Sequence, residues 1–193
     1  MPSQTLRYLI LPGWHGSPDE HWQSYWQRTL PNAVRVEQAD WENPDPFGWV
    51  AALERAVAAE GRPAILIAHS LGCVAVARWA AQAAPASLAR VRGALLVAPA
   101  DVERPTCHEA LRCFAPIARE RLPFPSQLVG SDNDPVASPT RALELARDWG
   151  SLPTILPGAG HINVDSGHHR WEQGFAHLYR LQRQIERLER RCV

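Results

Sequence analysis

The chain has 193 residues, 46% of them hydrophobic, with 20 basic and 20 acidic side chains. That length suits one domain with a sizeable core better than two marginal ones, and formal neutrality argues against a nucleic-acid or membrane-surface partner, which calls for a basic excess. Every basic residue is Arg, which excludes chemistry built on a Schiff-base or P-loop lysine.

Taken in chain order, Met1–Thr5 lead into the apolar run Leu6–Leu11, closed by Pro12-Gly13, which reads as a buried strand. The run is too short for a secretory core and has no basic leader, and no apolar stretch approaches the ~20 residues of a membrane span. The expected compartment is the cytoplasm. Asp19 opens a helix to about Leu30, stopped by Pro31-Asn32, and Val34–Gln38 reads as a weaker strand. Phe47–Glu60 is an amphipathic helix ending at Gly61, and Ala64–Ala68 is a strand. Leu71–Ala84 is rich in small residues, as suits a helix packed closely on a sheet, and Pro85 ends it. Gly93–Ala98 is the next strand, and Asp101–Leu122 carry no clean period. A strand at Phe124–Val129, a helix at Pro139–Trp149 and a short strand at Thr154–Leu156 follow. The last helix is expected over His168–Arg191, with Phe175, Leu178, Leu181, Ile185 and Leu188 on one face.

Strands alternating with helices predict a parallel sheet with right-handed crossovers. The fold class is therefore α/β, a three-layer α/β/α sandwich of about six parallel strands in a single domain spanning residues 1–193. The cysteines (Cys73, Cys107, Cys113, Cys192) form no C-x-x-C pair, so reduced thiols are expected, although Cys107 and Cys113 are near enough to pair if oxidised. In an open parallel sheet, catalytic residues belong at the carboxyl ends of strands.

Three segments meet that demand. The strand Ile65-Leu66-Ile67 runs into Ala68-His69-Ser70-Leu71-Gly72, a small-x-Ser-x-Gly turn that lifts a serine hydroxyl above a sheet, with Ala68 where Gly is usual. The competing interpretation is an ordinary serine helix cap. A hydrolase of this type then needs an acid and a histidine after later strands, in that order. Ser131-Asp132-Asn133-Asp134-Pro135 and Gly158-Ala159-Gly160-His161 supply them. Ser70 is the expected nucleophile, His161 the general base, and Asp134, held by Pro135, is preferred to Asp132 as the orienting acid. The loop Leu11-Pro12-Gly13-Trp14-His15-Gly16-Ser17 is expected to give a second oxyanion donor, the N–H of Trp14, beside that of Leu71. Trp14, His15 and Trp41 are candidate substrate contacts, with Trp14 and Trp41 placed to wall an apolar pocket and structural burial of a large ring an equal interpretation for Trp41. His69 is expected to pack or orient the turn, and Trp22 and Trp26, spaced i, i+4, to pack. His168, His169 and Asp165 lack a further ligand at suitable spacing, so no metal is expected, and no cofactor.

This ordered set, with His21-Trp22 and Asp40-Trp41, resembles the small α/β-hydrolase-fold serine hydrolases related to retinoblastoma-binding protein 9, over nearly the whole chain. The resemblance implies a compact α/β-hydrolase without the first two strands, a minimal lid, and a triad at Ser70, Asp134 and His161. One departure matters: no Leu-x-Cys-x-Glu sequence is present, since Leu111-Arg112-Cys113-Phe114-Ala115 lacks the final acid, so the partner in that family's name is not carried over. The leading expectation is a serine hydrolase of small esters, thioesters or activated amides, a monomer or homodimer whose partner is a small acyl substrate. The alternative is a binding or regulatory protein with a vestigial triad.

Overall fold

A computed structural model describes residues 6–191. Met1–Thr5 and Cys192 lie outside the described residues. Six parallel strands form one sheet: β1 (Arg7–Leu11), β2 (Ala33–Arg35), β3 (Ala64–His69), β4 (Val91–Val97), β5 (Ser126–Ser131) and β6 (Leu152–Leu156). Their spatial order is β2-β1-β3-β4-β5-β6. Six α-helices connect or follow them: α1 (Trp22–Thr29), α2 (Pro46–Ala58), α3 (Leu71–Gln82), the one-turn α4 (Pro85–Leu88), α5 (Pro139–Trp149) and α6 (Phe175–Glu189).

The central strands are apolar on both faces because helices cover both. Leu9, Leu11, Leu66, Ala68, Ala94 and Leu96 pack with α2, α3 and α5, through Trp49, Leu53, Val74, Leu145 and Trp149. Tyr8, Ile10, Ile65, Ile67, Leu95 and Val97 pack with α1 and α6, through Trp22, Trp26, Leu178, Leu181 and Ile185. These two clusters make the three expected layers. Arg7 is the one charge inside β1, and its guanidinium donates to the carbonyls of Ala56 (2.7 Å) and Val57 (2.6 Å) at the end of α2. A cation there meets the negative pole of the helix and its unpaired carbonyls.

Several boundaries differ from expectation. The final helix begins at Phe175, not His168, because Gly167 (φ 82°) and Trp171 (φ 43°) turn the chain twice before it. Trp171 is drawn inward to stack on Trp26, 5.7 Å between centroids, and that burial overrides helical continuation. Leu188, expected on the buried face of α6, is 43% exposed. The first helix opens at Trp22 rather than Asp19, where the ring nitrogen Nδ1 of His21 accepts from the Gln23 N–H. The irregular stretch after β4 contains one short 3₁₀ helix, Glu109–Phe114. Among the described residues, Cys73, Cys107 and Cys113 are unpaired thiols.

The strand order reverses direction between β1 and β3, since β2 lies outside β1 and β4 outside β3. The crevice at such a switch point, beyond the carboxyl ends of the strands, is where open α/β sheets hold ligands. The loop after β1 and the turn after β3 both open there.

Candidate active site

Ser70 follows β3 directly, with φ 53° and ψ −120°, a backbone conformation L-residues seldom adopt. Its side chain makes no capping bond to α3. The ordinary-cap interpretation therefore fails, and the hydroxyl is directed elsewhere. The sharp turn requires close passage of the chain: a Cβ at Gly72 would lie 2.5 Å from the Leu11 carbonyl oxygen and 2.7 Å from that of Pro12. Only glycine admits α3 this near to β1. At position 68 the methyl group of alanine is accommodated with no exposure at all.

The hydroxyl of Ser70 donates to His161 Nε2 at 2.9 Å. On the other side of the ring, His161 Nδ1–H faces Asp134, at 3.0 Å from each carboxylate oxygen. The Asp134 side chain is 2% exposed and that of His161 13%. Asp134 also accepts the Val136 N–H at 2.8 Å, which fixes the carboxylate plane. Asp132 points away and accepts the Gly158 N–H at 2.7 Å.

Two loops from distant parts of the chain must be held in register for this contact. Asn133 does much of that: its amide oxygen accepts from the Gly160 N–H (2.7 Å) and the Ser131 hydroxyl (2.8 Å). Ser131 Oγ in turn accepts the Ala159 N–H at 3.0 Å. Gly160 has φ 57°, and a Cβ there would lie 2.6 Å from that of Ser166. Behind the loop, Trp22 Nε1–H donates to the Ile162 carbonyl at 2.8 Å. His69 Nε2–H donates to the carbonyl of His161 at 2.9 Å. Burial pushes the His69 pKa well below the usual histidine range, with nearby His161 and His21 acting in the same direction. His69 is thus a neutral strut, in keeping with its expected orienting part. Gln23 ties the crevice together from below, donating to the carbonyls of Leu11 and Ile67, each at 3.1 Å. Sequence reasoning missed Asn133, Gln23 and the bond made by Trp22, since a turn asparagine and a helical Gln or Trp carry no motif.

Gly13 abuts the serine, and a Cβ there would stand 2.7 Å from Ser70 Cβ. In the same loop the His15 N–H is bonded to the Trp41 carbonyl, and that of Gly16 to Gly13. Among the described residues, the Trp14 N–H has no such partner. Leu71 is the first residue of α3, so its N–H has no acceptor within the helix. Neither N–H is therefore engaged by another backbone group among the described residues.

Ser70 and His161 open into a cavity of about 450 Å³ whose walls include Trp14, His15, Arg104, His108, Leu111 and Asp165. The segment after β4 supplies Arg104, His108 and Leu111, so it forms one wall. Trp14 stacks on His15, with centroids 3.9 Å apart, and its Nε1–H donates to the Glu42 carbonyl at 2.9 Å. His15 pairs with Glu42 at 2.7 Å. Trp41 corrects expectation: it does not line the cavity. It lies against Gly16 and meets Trp49 edge-on at 5.6 Å, because burying a large ring there packs α2 against the loop. The pocket still presents mainly apolar surface, with Trp14, Leu111, Val136 and Val164 beside His15, Arg104 and His108. His168 accepts or donates to Ser166 Oγ at 3.1 Å, and among the described residues no group of three or more His, Cys, Asp or Glu could hold a metal ion.

The chain matches the family model described as serine hydrolase over residues 8–180. Among solved structures, a YdeN-like hydrolase from Pectobacterium atrosepticum is 35% identical, with 95% of this chain and 90% of that one covered and a TM-score of 0.77. The ydeN gene product of B. subtilis shares 19% identity, covers 92% and 98%, and has a TM-score of 0.75. RedJ, a thioesterase from Streptomyces coelicolor, shares 18% identity over 91% and 90%, with a TM-score of 0.66. The last two share the fold. No curated protein matches the chain. The match over most of the chain, joined to the α/β architecture, places this protein in the serine hydrolase family.

Proposed function

We propose that this hydrolase cleaves small esters or thioesters by a Ser70-His161-Asp134 triad, through an acyl-enzyme intermediate. The observation that carries the proposal is the unbroken chain of contacts from Ser70 Oγ to His161 (2.9 Å) and on to Asp134 (3.0 Å) at a strained strand-to-helix turn. In this reading Ser70 Oγ attacks the acyl carbon while His161 Nε2 takes its proton. Asp134 keeps the Nδ1 tautomer and stabilises the imidazolium. The carbonyl oxygen becomes an alkoxide received by the N–H groups of Leu71 and Trp14. His161 then returns the proton to the leaving alcohol or thiol, and a water activated by the same imidazole releases the acid. Donors fixed before reaction avoid reorganisation, and removing one such donor typically costs ~10²–10³ in rate.

The limited cavity volume, about 450 Å³, supports short acyl groups over long alkyl chains. The thioesterase among the structural neighbours is reason to include thioesters. We further read the motif set as allying the chain with the retinoblastoma-binding protein 9 relatives, and the whole as one hydrolase domain.

A fluorophosphonate probe is expected to label the wild-type protein and to leave Ser70→Ala unlabelled. Turnover of a p-nitrophenyl ester and thioester panel should decline as the acyl chain lengthens. Labelling that persists in Ser70→Ala, or an inert wild type, overturns the assignment.

A further inference from the structure

A second cavity, of about 670 Å³, lies far from Ser70, where α6 crosses the starts of β5 and β6. Gln127 and Leu152, register partners at the amino ends of those strands, belong to its lining. The loops bearing Asp134 and His161 leave the opposite ends of the same strands. A ligand here is therefore not the molecule being hydrolysed.

Four arginines border the groove: Arg180, Arg183, Arg187 and Arg191. Arg180, Arg183 and Arg187, spaced three and four residues apart, stack on one face of α6 over ~10 Å at 1.5 Å per residue, and Arg191 follows just past the helix end. No acidic side chain lines the groove. Among the described residues, Arg180, Arg183 and Arg187 form no ion pair, although most other charges along α5 and the segment after β4 do. A chain that is neutral overall thus concentrates positive charge at one concave place.

The floor supplies an independent sign. Gln127 is 1% exposed, yet among the described residues its Nε2 has no hydrogen-bond partner, and the buried Oε1 of Gln184 has none either. Buried amides are almost always satisfied by protein, water or a bound group. Apolar surface adjoins these polar atoms, with Tyr179 63% exposed and Leu152 51% exposed. These groups suit a ligand that is rich in acceptors and multiply anionic, with room beside it for an apolar part.

We propose that this groove is a binding site for a small organic phosphate. Arginine forks match phosphate oxygens bidentately, and the cavity volume falls within the range of small-molecule sites. A second copy of the chain fits less well, since a two-fold contact through this patch would set arginines against arginines. A lipid surface presents the same phosphate chemistry but is flat where the groove is concave.

Isothermal titration calorimetry of the whole protein at low salt, with phenyl phosphate and with inorganic pyrophosphate, tests the proposal. Both probes are expected to bind wild type. The triple variant Arg180→Gln/Arg183→Gln/Arg187→Gln, which changes exposed side chains only, should weaken both at least tenfold. Gln127→Met, close in volume, should weaken them severalfold while circular dichroism stays unchanged. The proposal is overturned if neither probe binds wild type, or if the triple variant binds as wild type does. Association with phosphatidylglycerol vesicles in the absence of binding to either soluble probe also overturns it. None of these readouts depends on the assignment of Ser70.

Discussion

Asp132 and Asp134 are two residues apart in one loop and do different work. Asp134 faces His161 with both oxygens at 3.0 Å, whereas Asp132 accepts a backbone N–H from Gly158. Asparagine keeps an acceptor oxygen but loses the charge that stabilises an imidazolium. Asp134→Asn should therefore lower kcat by ~10⁴, and Asp132→Asn should leave it within a few-fold. Steady-state ester kinetics on the two variants decides this, and equal losses would reject the assignment. Both aspartates were visible in the sequence, and Pro135 favoured the one whose carboxylate meets His161. Asn133 between them was not, because its partner, the Gly160 N–H, lies 27 residues away and is reached only when two loops meet.

At the scale of elements, the segment after β4 shows how an aperiodic stretch becomes a defined wall. Arg141 at the start of α5 approaches Asp101 (3.2 Å) and Glu144 (3.3 Å) and also pairs with Glu103. Glu103 is shared with Arg119, which continues to Asp148 at 2.8 Å. Arg104 donates to the Val136 carbonyl, docking the same segment beside the Asp134 loop. Charges linked in a network around a mostly covered member such as Arg141 contribute more than isolated surface pairs. Arg141→Ala is expected to lower stability by ~1–3 kcal/mol and to raise KM severalfold while kcat changes little. Urea unfolding and ester kinetics provide the two readouts, and unchanged KM would mean the wall stands without this network. The same scale explains the misplaced start of α6. Periodicity continues through His168–Trp171, but packing of Trp171 on Trp22 and Trp26 rewards a turn that no local pattern announces.

Across the whole molecule, histidines held neutral couple stability to pH. Burial lowers the pKa of His21 to about 3, and burial also lowers those of His69, His168 and His177. The unfolded chain takes up protons near its ordinary histidine value of about 6.5, while the folded chain does not. Below that pH the unfolded state binds more protons, so stability is fully present above about 6.5 and is lost as pH falls towards the folded values. Each fully buried histidine contributes a slope of at most ~1.4 kcal/mol per pH unit within its window. For His21, acidification also removes the ring acceptor that caps α1. Denaturant midpoints are expected to fall steadily from pH 7 to pH 5, and a flat profile would contradict this account.

The sequence by itself determined the alternation of strands and helices, the three-layer class, and the ordered appearance of Ser70, Asp134 and His161 at strand ends. Those features rest on short-range physics: apolar runs, breakers, and the small residues a sharp turn demands. Only the tertiary structure decided which neighbours serve the site. It set Trp41 behind Gly16 instead of in the pocket, turned Asn133 and Trp22 into braces of the His161 loop, and gathered the α6 arginines around Gln127. Such roles depend on distances between atoms far apart in the chain, and a linear pattern carries no measure of those distances.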